Sequence, residues 1–159
     1  MHGLTQEQDE AREAGARVAL ELDTIQSDFA VLDEWEDRYR YVIELGRMLE
    51  PLPEAARVDA NKVRGCASQV WLVTTMDGGG EGAEPVMRFT GDSDALIVRG
   101  LIAILFAIYQ GRTPSEALAI DPEVILAGLG LKDHLTPQRS NGLAAMLARI
   151  QADARAAQG

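Results

Sequence analysis

One segment limits how this chain can fold more than any other. Residues 95–109 read ALIVRGLIAILFAIY and are apolar almost all round a helix. A helix without a polar face is buried on every side, so the other elements must be arranged around it. Because the segment contains Arg99 and is shorter than the roughly 20 residues that cross a bilayer, we predict a central core helix and no membrane contact.

Helical patterns also precede this core helix. A helix is predicted over residues 24–32, and the apolar spacing from Trp35 to Leu49 predicts a second one. Asp33 and Glu36 resemble a capping arrangement at its start, and Pro51 follows its end. The first twenty or so residues are interpreted as a helix or a mobile acidic arm.

The chain after residue 91 is predicted to be helical throughout. Asp92 or Ser93 is expected to cap the core helix, and Gly111 to end it. Three further helices are predicted to begin where a capping residue precedes a proline, at Thr113-Pro114, Asp121-Pro122 and Thr136-Pro137. The last of these helices is expected to run to about residue 157.

Between the two helical regions the apolar period changes. Residues 69–76 (QVWLVTTM) and 85–90 (PVMRFT) are rich in β-branched and aromatic residues, which predicts a hairpin across a glycine-rich turn. Residues 61–64 are predicted to form a further short strand. The order of helices, a short sheet and more helices predicts an α+β fold in which a small antiparallel sheet packs against several helices.

The charge of the chain is concentrated near its start. Eleven acidic residues and two arginines lie between Met1 and Asp37, so this stretch carries −9 of the total −10. The nearly neutral remainder lacks the lysine and arginine clusters that bind phosphates, which argues against a nucleic-acid partner. The acidic stretch is either a solvated helix face or a surface that steers a basic partner. No basic and apolar leader is visible, so the expected location is the cytoplasm.

Cys66 is the only cysteine, and it lies in the turn Gly65-Cys66-Ala67-Ser68. Alone it forms no internal disulfide or CxxC pair, and with two histidines in the chain it does not complete a typical zinc site. A free cysteine is often a buried apolar residue, but the turn and the nearby Lys62 and Arg64 favour a reactive thiolate. Three functions stay open at this point: a nucleophilic carrier, a binding module with an inert cysteine, and a hydrolase or transferase that uses Cys66 with His134 as base.

Four stretches together resemble the SufE family, which includes the related CsdE-type proteins. They are WEDRYRYVIELG from Trp35, VRGCASQVW from Val63, GDSDALIVRGLIA from Gly91 and LKDHLTPQRSNGL from Leu131. They occur in the order of the family and span most of residues 29–150. The resemblance implies the α+β fold shared with IscU-type scaffold proteins, in a domain at residues 23–157. The acidic extension at residues 1–22 and the glycine-rich hairpin loop depart from the family pattern.

The resemblance implies a sulfur acceptor that takes a persulfide onto Cys66. The implied partners are a SufS-like cysteine desulfurase, which holds pyridoxal phosphate, and a SufBCD-like iron–sulfur scaffold complex. Arg139 is implied as a desulfurase contact, together with Asp94, Gln69 and His134. The protein would need no cofactor or metal of its own, and would activate the desulfurase rather than act as an independent enzyme.

The single cysteine agrees with such a role. A thiolate that attacks the outer sulfur of a persulfide takes that sulfur by exchange, and no second thiol is present to displace it as sulfide. One thiolate is too few to assemble a cluster, so the sequence favours a carrier over a scaffold. The small residues Gly65, Ala67 and Ser68 suit a loop that holds the thiol inward and swings out on docking.

Overall fold

The computed structural model describes residues 22–158. The interpretation of the first twenty residues as a helix or acidic arm, and His2, therefore lie outside the described residues. The helices are α1 at residues 22–31, α2 at Trp35–Arg47, α3 at Leu96–Tyr109, α4 at Pro114–Ala119, α5 at Pro122–Gly128 and α6 at Pro137–Gln158. The strands are β1 at Val70–Asp77 and β2 at Val86–Ser93. Single 3-10 turns lie at Glu54–Ala56, Asp59–Asn61 and Lys132–His134.

Helix α3 is the centre of the core, as its composition predicts. Eleven of its fourteen residues are buried, and the side chains of α2, α6 and the hairpin surround it. Helices α2 and α3 touch through their backbones, because a Cβ atom added at Gly100 would lie 2.1 Å from the Val42 carbonyl oxygen. The α+β prediction is confirmed.

The hairpin is antiparallel, and its register runs from Val70 opposite Ser93 to Asp77 opposite Val86. Strand β2 continues three residues beyond the predicted end, because residues 91–93 pair with β1. The predicted cap of α3 at Asp92 or Ser93 is therefore wrong. The N-cap residue is Ala95, and its backbone N–H donates to Ser93 Oγ at 3.2 Å.

The three cap-plus-proline starts are confirmed. Thr113 and Glu116 form a reciprocal capping box, Asp121 accepts a hydrogen bond from the Glu123 N–H, and Thr136 Oγ1 accepts from the Arg139 N–H. The capping arrangement predicted at the start of α2 is wrong. Glu34 occupies the N-cap and makes no side-chain cap bond there, so the glutamate at position 36 is the second helical residue and not the third, as a capping box requires.

The region from residue 22 to residue 158 contains no helix that combines the length and apolarity needed to span a membrane.

Candidate functional site

The cysteine turn is a short loop closed at its base by backbone pairing. The Val63 N–H donates to the Val70 carbonyl oxygen at 2.8 Å, and Lys62 and Trp71 form an isolated antiparallel bridge. The strand predicted at residues 61–64 is reduced to this bridge, because a 3-10 turn ends just before it. Gly65 has a φ of +92°, a left-handed conformation that glycine adopts without strain. The predicted turn around Cys66 is confirmed.

Asp94 fastens the end of this loop to the start of α3. The Gln69 N–H donates to Asp94 Oδ1 at 3.0 Å, and the Asp94 N–H donates to the Gln69 carbonyl oxygen at 3.3 Å. Both side chains are exposed. The structure thus brings these two predicted site residues together, as a clasp on the cysteine loop.

The Cys66 thiol is half-buried against α6. Its Sγ atom lies 3.7 Å from the Gly142 carbonyl oxygen, in a geometry in which the S–H donates. A Cβ atom added at Gly142 would lie 3.6 Å from Sγ, and one added at Gly65 would lie 3.3 Å from the Ala145 Cβ atom. The loop therefore rests on the face of α6 that carries Gly142 and Ala145.

The thiol borders an open pocket of about 220 Å³. Its walls come from the cysteine loop, from α3 and from the first turns of α6. The lining residues are Cys66, Ala67, Ser68, Val98, Leu101, Thr136, Gln138, Arg139, Gly142, Leu143 and Met146. One side of the pocket is apolar, while the rim near the start of α6 carries hydroxyl, amide and guanidinium groups.

Burial raises the pKa of the Cys66 thiol above its ordinary value. Removal from water disfavours the charged thiolate, and burial is the cause of the shift. The prediction that Lys62 and Arg64 favour the thiolate is therefore wrong for this conformation. The sulfur faces the Gly142 carbonyl oxygen on α6, which the local sequence around Lys62 and Arg64 does not reveal.

Arg139 reaches the rim of the pocket from the first turn of α6. Its guanidinium carbon lies 5.8 Å from the centre of the Tyr39 ring on α2, within the range of a cation–π contact. The side chain is partly exposed. Of the four predicted partner contacts, Arg139 alone lines the pocket with Cys66.

His134 lies elsewhere. Its exposed ring stacks on Trp35, with the ring centres 4.0 Å apart and the planes 16° from parallel. It is not among the residues that line the pocket beside Cys66. A hydrolase would need Cys66 and His134 in contact. Among the contacts of the described residues, none joins these two side chains.

The sequence reasoning missed the residues of α6 and α3 that face the thiol. Gly142 is the closest of them, and Thr136, Gln138 and Met146 complete the wall. Three of these lie within LKDHLTPQRSNGL, so the only available signal was membership of that stretch. Within residues 22–158, no group of three or more His, Cys, Asp or Glu side chains is placed to hold a metal ion.

Comparisons with known proteins agree on one family. The family model described as "SufE: Fe-S metabolism associated domain" matches residues 23–154. An uncharacterized SufE-like protein of Rhizobium meliloti (strain 1021) is 56% identical over 133 residues, which are 84% of this chain and 94% of that protein. A second uncharacterized SufE-like protein, of Rhizobium etli, is 55% identical over 134 residues, covering 84% of this chain and 89% of the relative.

A solved structure has the same fold. The solution structure of a hypothetical protein from Thermus thermophilus matches with a TM-score of 0.63 at 25% identity, covering 89% of this chain and 95% of that one. The family model and the relatives together span most of the chain, including the cysteine loop and the start of α6. This chain belongs to the SufE family and has a role in Fe–S metabolism.

Proposed function

We propose that this protein accepts sulfur from a cysteine desulfurase as a persulfide on Cys66 and passes it on to iron–sulfur cluster assembly. The observation that carries the proposal is the position of the only cysteine. Cys66 lies on a short closed loop, beside an open pocket whose rim holds a cationic side chain. Membership of the SufE family supports the same role.

The transfer is an exchange of one sulfur–sulfur bond for another. The Cys66 thiol loses its proton, and the thiolate attacks the outer sulfur of the desulfurase persulfide. The bond between that sulfur and the desulfurase cysteine breaks, and the desulfurase cysteine leaves as a thiolate. Cys66 then holds the persulfide, and no net oxidation occurs. Because this step clears the product from the desulfurase, it allows the next turnover, so the protein acts as an activator and not as an independent catalyst.

The inward position of the thiol suits a carrier between encounters. Burial raises the pKa of the Cys66 thiol and so keeps it in its unreactive protonated form. On docking, the loop would turn outward about Gly65, the sulfur would regain polar surroundings, and its pKa would fall. The Asp94–Gln69 clasp at the end of the loop is the contact that would resist this movement.

Four residues form the proposed partner surface. Arg139, Asp94, Gln69 and His134 would face a SufS-like desulfurase that holds pyridoxal phosphate. A SufBCD-like scaffold complex would receive the sulfur. The proposed site needs no cofactor of its own, and the proposed location is the cytoplasm.

Intact-protein mass spectrometry tests the proposal. The protein is incubated with free cysteine and a desulfurase from the same organism, and Cys66→Ser is treated in parallel. We expect the wild type to gain the mass of one sulfur, reversibly with reductant, and the variant to gain none. A wild type that gains no sulfur under these conditions would refute the proposal.

A matched variant separates the carrier from the Cys–His hydrolase or transferase. His134→Ala removes the base that such an enzyme needs, at a residue that is not among those lining the Cys66 pocket. The carrier is expected to keep most of its sulfur transfer in this variant. Loss of transfer by about a hundredfold or more in His134→Ala, the scale of general-base removal, would favour the enzyme instead.

A further inference from the structure

We propose that Tyr39 is a positioning residue for Arg139, holding its guanidinium at the rim of the Cys66 pocket with the N–H donors free for a carboxylate of the desulfurase. This inference rests on the proposed function. It assigns a role to a tyrosine on α2, which is not among the residues that line the pocket.

Two aromatic rings on one face of α2 hold the segment that leads into α6. Trp35 and Tyr39 are four residues apart, so they lie one turn above each other on the helix. His134 stacks on the first ring at 4.0 Å, and Arg139 lies over the second at 5.8 Å. The two contacts therefore lie side by side along α2, one before α6 and one in its first turn.

A contact with the face of a ring leaves the edge of a guanidinium unused. The Tyr39 ring attracts the positive charge of the guanidinium through its π face, an interaction that occupies no oxygen acceptor and so leaves the Arg139 N–H groups to other partners. Within the part of the chain that the structure describes, the Arg139 side chain has no ion pair and no hydrogen bond. Its donors are therefore available to a group from outside.

A second arginine over an aromatic ring uses its donors differently. Arg57 also lies over an aromatic ring, 5.1 Å from the centre of Trp71. Its donors, however, are used by ion pairs with Asp92 and Glu54. Arg57 thus serves the fold, whereas Arg139 is held beside the reactive thiol with its donors unused.

The free edge of Arg139 indicates the chemistry of its partner group. A planar pair of N–H donors matches the two oxygens of a carboxylate, which a lysine ammonium does not match in the same way. Because Arg139 lines the pocket that Cys66 borders, a carboxylate bound there would bring the desulfurase close to the thiol. We therefore expect Tyr39 to influence docking and not the chemical step.

The test measures the desulfurase concentration that gives half-maximal sulfur loading of Cys66, followed by intact mass. Tyr39→Leu removes the ring contact but keeps an apolar side chain. We expect this concentration to rise about two- to fivefold, the range of a cation–π contact at a partly exposed site, with the rate at saturation unchanged. Tyr39→Phe, which keeps the ring, is expected to restore the wild-type value. Met48→Ala, at the exposed end of α2, is the control for a general effect on this helix.

The deciding arm is a double-mutant cycle with Arg139→Gln. If Tyr39 acts through Arg139, Tyr39→Leu has no further effect once the guanidinium is gone. An equal rise in both backgrounds would overturn the inference, and so would a Tyr39→Phe variant that behaves like Tyr39→Leu. Arg139→Lys leaves α2 untouched and tests the carboxylate, because wild-type docking by a lysine would refute a bidentate contact.

Calorimetric titration of the desulfurase with the same variants separates this inference from the proposed function. Binding does not depend on sulfur transfer, so the coupling between Tyr39 and Arg139 can be read even if Cys66 gains no sulfur. Coupled binding without loading would refute the carrier role and keep the positioning role. Sulfur loading of Cys66 without coupling between Tyr39 and Arg139 would support the carrier role and refute the positioning role.

Discussion

Two glycines inside helices face very different surroundings. At Gly100 in α3, an added Cβ atom would lie 2.1 Å from the Val42 carbonyl oxygen, which is shorter than any normal non-bonded contact of a Cβ atom. At Gly142 in α6, the nearest atom to an added Cβ would be Cys66 Sγ at 3.6 Å, an ordinary contact. The first glycine lets two helix backbones touch, and the second lies under a loop with a pocket beside it.

The contrast distinguishes the packed core, where α2 meets α3, from the site around Cys66. Protein interiors contain few voids larger than a water molecule, and the contact of α2 with α3 follows that rule. The pocket of about 220 Å³ next to Cys66 is open to solvent instead. A substitution in the first region should therefore change global stability, while one in the second should change the loop.

The largest expected effect is that of Gly100→Ala. The added methyl group must push α2 away from α3, and overpacking of this kind costs about 3 kcal/mol of unfolding free energy. Urea denaturation measures the loss. The matched control is Gly128→Ala at the end of α5, where an added Cβ meets no atom within 4 Å, so its stability should stay the same or rise. Equal changes at both positions would break the comparison.

Asp94→Ala should change the position of the cysteine loop and leave the packed core of α2 and α3 unchanged. It removes the acceptor of the Gln69 N–H, a bond worth about 1 kcal/mol, which should make outward loop positions about fivefold more populated. Alkylation of Cys66 by a small maleimide should accelerate by the same factor. Asp94→Asn keeps an oxygen acceptor and is expected to react nearly as slowly as the wild type. An unchanged rate in Asp94→Ala would show that the clasp does not hold the loop.

Gly142→Ala is expected to have a smaller effect, of opposite sign to Gly100→Ala. Alanine favours a helix over glycine by up to about 1 kcal/mol, and the added methyl group finds an ordinary distance to Sγ. The free energy of unfolding should therefore rise by at most about 1 kcal/mol in urea. A loss of stability at this position would mean that the site is packed as tightly as the core.

The smallest expected effect is a dependence of stability on pH. Because burial raises the folded-state pKa of Cys66, the folded protein keeps its thiol proton at a pH where the unfolded chain has lost it. The resulting stability is complete below the unfolded pKa of about 8.5 and declines as the pH rises through the folded value. Urea midpoints of the wild type and Cys66→Ser should differ by a constant amount below about pH 8 and converge or cross above it. A constant difference up to pH 10 would contradict the burial of the sulfur.

Local patterns predicted most of the fold correctly. The apolar run of α3 and the proline-led starts of α4, α5 and α6 depend on neighbouring residues alone, and all are confirmed. The predicted end of β2 was wrong. The sequence Gly-Asp-Ser at residues 91–93 suits a helix cap, but these residues pair with β1 and so belong to the strand. Secondary structure set by a distant partner is not visible in a local window.

Of the candidate site, only the turn that carries Cys66 could be predicted from the sequence. The position of Cys66 in a turn follows from residues 65–68, but the α6 wall that the thiol faces comes from another part of the chain. The prediction that Lys62 and Arg64 favour the thiolate was wrong for the same reason, since the direction in which the sulfur points depends on α6. The stacking of His134 on Trp35 likewise joins two distant stretches and has no local signature.

The bond between the Cys66 thiol and the Gly142 carbonyl joins residues 76 positions apart. The base of the cysteine loop, in contrast, is closed by Val63 and Val70, which are near neighbours in the chain. At a synthesis rate of about 5–20 residues per second, the ribosome needs about 4 to 15 seconds to add the intervening stretch. Throughout that time the nascent loop has no helix to lie against. We therefore expect Cys66 to react with oxidants more readily in the newly made chain than in the folded protein, where burial keeps the thiol protonated.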